Sequence, residues 1–90
     1  MAKKILSKVQ KDKIRILKPI IDDWNRIHNG TWKVDPFYYG TVNDTVEIYE
    51  EPGANHVHGI LVTDIAGVCN AYGWTWAIYF SDEKGVYFDV

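Results

Sequence analysis

The first third of the chain carries a long amphipathic pattern with its own start and stop, and this constrains the fold more than any other feature. Ser7-Lys8-Val9-Gln10 fits a capping box. In that motif the serine hydroxyl accepts from the backbone N–H three residues on, and the glutamine side chain reaches back to the serine N–H. Apolar residues follow at Val9, Ile16, Leu17, Ile20, Ile21, Trp24 and Ile27, most of them on one stripe at helical spacing, with Lys and Asp opposite. His28-Asn29-Gly30 closes the pattern, since Asn or Gly readily takes the left-handed conformation that ends a helix. The spacing predicts a helix over 7–28. Pro19 interrupts it by removing one donor and crowding the Arg15 carbonyl, so a kinked helix or a closely joined pair is expected.

Such a helix needs an apolar platform, and the rest of the sequence reads as strands. Thr31-Trp32-Lys33-Val34 alternates, and Asp35-Pro36 breaks it. Residues 37–42 and 45–50 form two runs joined at Asn43-Asp44, a pair suited to a tight turn. Glu51-Pro52-Gly53-Ala54-Asn55 is a further turn, and residues 56–62 read as a third strand. Thr63-Asp64 fits the cap of a short helix containing Ile65, Val68, Cys69 and Tyr72, with Gly73 as its stop. Trp74, Trp76, Ile78 and Phe80 then alternate with Thr75, Ala77 and Tyr79. After a turn over 81–85, Val86, Phe88 and Val90 alternate with Tyr87 and Asp89. The expected fold is α+β: one domain over 1–90, in the order α-β-β-β-α-β-β, with the helix on an antiparallel sheet of about five strands. A 14% aromatic content supplies the large side chains that a 90-residue core requires.

The single cysteine, Cys69, excludes an internal disulfide and favours a cytoplasmic protein. No apolar run has the length of a signal h-region or a membrane span. Dispersed glycines exclude a phosphate-binding loop, and no cofactor is implied.

Charge is divided. Residues 1–18 carry seven basic side chains and one acid, net +6; residues 19–90 carry three basic side chains and eleven acids, net −8. The basic segment offers Lys3, Lys4, Lys8, Lys11, Arg15 and Lys18 for phosphate contacts, which makes nucleic-acid binding an alternative. A solvated helix face accounts for the same residues, and the acidic remainder is unlike a nucleic-acid module.

His56-Val57-His58 would put two imidazoles on one strand face about 7 Å apart. A zinc site, and with it a metal-dependent enzyme, needs a third ligand that no spacing supplies. Cys69, on an apolar helix face, reads as a packed thiol. Glu47 and Glu50 point to opposite faces of a regular strand, so they do not form a carboxylate pair.

What remains is the outward sheet face. Assigning Trp74, Trp76, Ile78, Phe80, Val86 and Phe88 inward leaves Tyr79 and Tyr87 outward beside Asp89, and Glu47 and Tyr49 outward on their own strand. Tyrosines anchor contacts and acids steer toward a basic partner. The expectation is therefore a non-enzymatic interaction module that blocks a basic protein surface through Glu47, Tyr49, Glu50, Glu51, Tyr79 and Tyr87, as small phage-type inhibitors do. A homodimer through an exposed C-terminal strand is also expected.

Overall fold

The computed structural model describes residues 6–39, 42–50, 59–81 and 85–90. Within these, helix α1 (Lys8–His28) is followed by β1 (Lys33–Tyr39), β2 (Val42–Tyr49), α2 (Gly59–Tyr72), β3 (Ala77–Ser81) and β4 (Gly85–Asp89). The strands form one antiparallel sheet in the order β1-β2-β4-β3. The mixed α+β architecture is as expected, with four strands among the described residues where about five were expected.

Helix α1 is continuous. Its capping box is complete: Gln10 N–H donates to Ser7 Oγ and Ser7 N–H to Gln10 Oε1, each at 3.1 Å. Asn29 ends it at φ 52°. Pro19 lies inside the helix but on its exposed side, so the Arg15 carbonyl it strands faces toward water.

The buried stripe is Gln10, Lys13, Leu17, Ile21 and Trp24. Val9 and Ile27, counted on the apolar stripe from the sequence, are exposed. Two polar residues take the first two positions because the helix start faces backbone, not side chains. Gln10 Nε2 donates to the Phe37 carbonyl at 3.3 Å and the Thr45 carbonyl at 3.0 Å. Lys13 Nζ donates to the Asp44 carbonyl at 2.6 Å and lies 5.9 Å from the Trp74 ring centroid. At the other end Asn25 Nδ2 donates to the Trp32 carbonyl at 2.7 Å, and Trp32 N–H donates to Asn25 Oδ1 at 3.0 Å. A Cβ at Gly30 would stand 2.8 Å from that Oδ1, so the close approach requires glycine.

Between these clamps the core fills with Leu17, Ile21, Trp24, Trp32, Ile48, Leu61, Ile65, Cys69, Phe88 and Val90. Its floor is a single register row across all four strands, Val34–Ile48–Phe88–Ile78. Burying a side chain such as Phe88 contributes about 1.5–3 kcal/mol.

Several expected boundaries are corrected. Asp35-Pro36 does not break the first strand; β1 runs through it, because an edge strand tolerates a residue that cannot donate to a ladder. Asn43-Asp44 lie within β2 and are not the hairpin turn; Tyr39 pairs with Val42. Residues 59–62 belong to α2, not to a strand, since Leu61, Ile65 and Cys69 form its buried line. Short apolar runs fit either period. Thr63 is therefore mid-helix, its hydroxyl bonded to the Gly59 carbonyl at 2.8 Å, and does not cap.

Gly73, at φ 72°, does end α2, with Trp74 N–H bonded to the Cys69 carbonyl at 2.8 Å. That bond keeps Trp74 and Trp76 ahead of β3, where both still pack partly on the core. Phe80 has inward parity yet is 72% exposed, so it is not a core residue. The C-terminal strand β4 is flanked by β2 and β3, and therefore cannot offer an edge to a twin. The expected turn over 51–55 lies outside the described residues. Among the described residues, no helix is long and apolar enough to cross a membrane.

Replacing Gln10 with Met keeps the volume and removes its hydrogen bonds, leaving the Phe37 and Thr45 carbonyls without that donor. Urea unfolding should show a loss of about 2–3 kcal/mol as a lower midpoint at unchanged slope. An unchanged midpoint would refute this role for Gln10.

Candidate binding face

Alternation in an antiparallel sheet gives each face every second residue, and register decides which of these become neighbours across strands. The helices and the core row occupy the face of Val34, Ile48, Phe88 and Ile78. Among the described residues, no element packs on the opposite face.

Two register rows organise that open face. One reads Lys33–Tyr49–Tyr87–Tyr79 from β1 to β3. The next reads Asp35–Glu47–Asp89–Ala77. Three tyrosines thus lie side by side, with three carboxylates side by side in the adjoining row. Tyr79 and Tyr87 stack with ring centroids 5.3 Å apart. Tyr49 reaches diagonally to donate its hydroxyl to Asp35 Oδ2. This hydrogen bond, with smaller effects of burial and of the charges on Asp35 and Glu47, pushes the Tyr49 phenol up to about 12. A negative field at the ring edge favours the protonated phenol.

Like charges directly opposite in a sheet are destabilising, by an amount on the order of 0.2–1 kcal/mol per pair. The alignments Asp35↔Glu47 and Glu47↔Asp89 place like charges opposite each other twice, with Glu47 only 7% exposed and Asp35 accepting the Tyr49 hydroxyl.

A hollow of about 230 Å³ opens at the end where the chain enters β3. Thr75, Trp76, Tyr79 and Asp89 line it. Aromatic walls and a carboxylate are the groups that attract an organic cation.

The expected partner-binding residues divide on this structure. Tyr49, Tyr79 and Tyr87 come together on the open face, and Glu47 shares their face but is buried. Glu50 is buried and Glu51 lies outside the described residues, so the face does not gather all six. Asp35 joins the cluster unanticipated, because the sequence reads it as half of a strand-breaking Asp-Pro pair.

Of the basic set, Lys3 and Lys4 lie outside the described residues. Lys8, Lys11, Arg15 and Lys18 are exposed along one helix face. Arg15 stands 3.6 Å from Asp12 and Lys18 stands 3.1 Å from Asp22, which neutralises part of that stripe. Lys13 is not in it: burial lowers its pKa, partly offset by Asp44.

His56 and His58 lie outside the described residues, among which no group of three potential ligands could hold a metal. Cys69 is buried, and desolvation raises its pKa, so the thiol is protonated and enclosed. No family model, curated protein or solved structure matches the chain.

The Tyr49 hydroxyl gives the face a spectroscopic handle. Subtracting the alkaline absorbance titration of Tyr49→Phe from that of the parent should leave one phenol titrating near 12. Asp35→Asn should bring it down toward 10. The stability this bond supplies is full below pH 10 and is lost as pH rises through about 12, because the folded-state value is the raised one. A Tyr49 difference titration centred at 10 would contradict the geometry.

Proposed function

We propose that this chain is a non-enzymatic interaction module that docks its open sheet face on a basic surface of a partner protein and so occludes it. The observation that supports the reading is the register of that face, which aligns Tyr49, Tyr87 and Tyr79 beside Asp35, Glu47 and Asp89. Rigid aromatic side chains provide contact area at low entropic cost, and Tyr is enriched at interface hot spots. The carboxylates attract basic partners from a distance and reject acidic ones. A cationic side chain of the partner entering the hollow at Trp76, Tyr79 and Asp89 would gain both a ring face and a countercharge.

A titration with an Arg-rich peptide, followed by amide and indole NMR shifts, tests the reading. Shifts should cluster on β2, β3 and β4 and weaken as salt rises. Tyr87→Ala should reduce affinity about tenfold or more, a loss above 1.4 kcal/mol. Glu47→Gln should weaken binding and flatten its dependence on salt. Shifts confined to α1, or affinity indifferent to both substitutions, would overturn it.

The second reading is nucleic-acid binding by the exposed line Lys8, Lys11, Arg15 and Lys18. It requires oligonucleotide affinity that falls steeply between two salt concentrations. Without such affinity this reading fails.

A further inference from the structure

The two edges of the sheet are built differently. The β1 edge carries Lys33, Asp35 and Pro36, and its register shifts between Phe37 and Tyr39. Charges, proline and bulges are the devices that stop an edge strand from pairing with another chain. The β3 edge has none of them. It reads Ala-Ile-Tyr-Phe-Ser, without charge or proline, and pairs with β4 in unbroken register over all five residues. Phe80 is 72% exposed and Tyr79 is 44% exposed there, so an apolar strand with an open edge faces solvent. Among the described residues, no strand lies on its outer side.

We propose that β3 pairs antiparallel with β3 of a second copy of this chain, about a twofold axis at Tyr79, joining the two four-stranded sheets into one. The sequence of β3 is self-complementary about that axis. Tyr79 falls opposite the second copy's Tyr79. Ile78 falls opposite Phe80 and Phe80 opposite Ile78, so the exposed Phe80 gains an apolar neighbour on the helix side of the sheet. Ala77 falls opposite Ser81, small against small. An isologous interface demands this reciprocal match of a patch with itself.

Charge agrees with the arrangement. β3 has no ionic group to meet its own image, and the nearest described acid, Asp89, pairs with Ala77 at the strand end away from the axis. The Asp89 carboxylates of the two copies therefore lie at opposite ends of the joint. A basic or acidic peptide laid on the same edge would find no countercharge in β3 itself. On the other face of the sheet the tyrosine row continues through the axis, running Tyr49–Tyr87–Tyr79 in one copy and in reverse in the next.

A five-residue edge is a small interface, so the association should be micromolar or weaker. Sedimentation equilibrium from micromolar to millimolar protein should show reversible monomer and dimer. Phe80→Lys changes an exposed residue and should shift the midpoint at least tenfold toward monomer while leaving the circular dichroism spectrum unchanged. Register is read by cysteine pairs in a Cys69→Ala background equilibrated in a glutathione buffer. Tyr79→Cys should cross-link the two copies, and Ser81→Cys, which faces Ala77, should not. A chain that stays monomeric at millimolar concentration overturns the proposal. So does a dimer indifferent to Phe80→Lys, or one that cross-links through Ser81→Cys and not through Tyr79→Cys.

Discussion

The structure depends on one buried amide. Gln10 has no solvent exposure, and its side chain serves two elements at once. The oxygen closes the first turn of α1 by accepting from Ser7, and the nitrogen binds carbonyls of both strands of the first hairpin. Helix start and hairpin are thereby set in one relation before any apolar side chain is counted. The hydrophobic stripe farther along α1 could slide on a flat sheet, because burial is non-directional. Hydrogen bonds to fixed carbonyls remove that freedom. Asn25 does the same at the helix end through the Trp32 backbone. The core row Val34–Ile48–Phe88–Ile78 supplies stability between two polar pins that supply register.

That division explains what was legible from the residues. The capping box, the Asn-Gly stop and the Gly73 stop were readable, because each is local chemistry with a fixed offset. The amphipathic character of α1 was readable too, but its exact buried face was not. Hydrophobicity selects Val9 and Ile27, whereas the structure buries Gln10 and Lys13, whose partners are main-chain carbonyls more than 25 residues away. No composition or periodicity reports such a partner. The misread segments share another cause. Gly59 to Val62 is a short apolar run compatible with either period, and only the buried line Leu61–Ile65–Cys69 decides for helix.

The open face shows the same limit. Parity assigned Tyr49, Tyr79 and Tyr87 to the open face strand by strand, and Glu47 shares that face but is buried. Parity could not say that they would be neighbours, since that needs β2 beside β4, a pairing between distant parts of the chain. Nor could it recruit Asp35, whose place depends on β1 passing through Pro36. Glu50, one residue on from Tyr49, falls past the end of β2 and is buried.

The strand order also has a kinetic side. The pairs β1–β2 and β3–β4 are hairpins, closed by short stretches of chain, whereas β2–β4 joins segments some 40 residues apart. Loop-closure entropy makes such a joint the late and slow contact. It rests on Tyr49 with Tyr87, Ile48 with Phe88, Glu47 with Asp89, and Val46 with Val90, which exchange two backbone hydrogen bonds at 2.9 Å. The seam that completes the sheet thus combines two buried apolar pairs, Ile48–Phe88 and Val46–Val90, with an opposed pair of acids. The tyrosine row is therefore a product of that last joint and of neither hairpin alone, since Tyr49 and Tyr87 meet only across it.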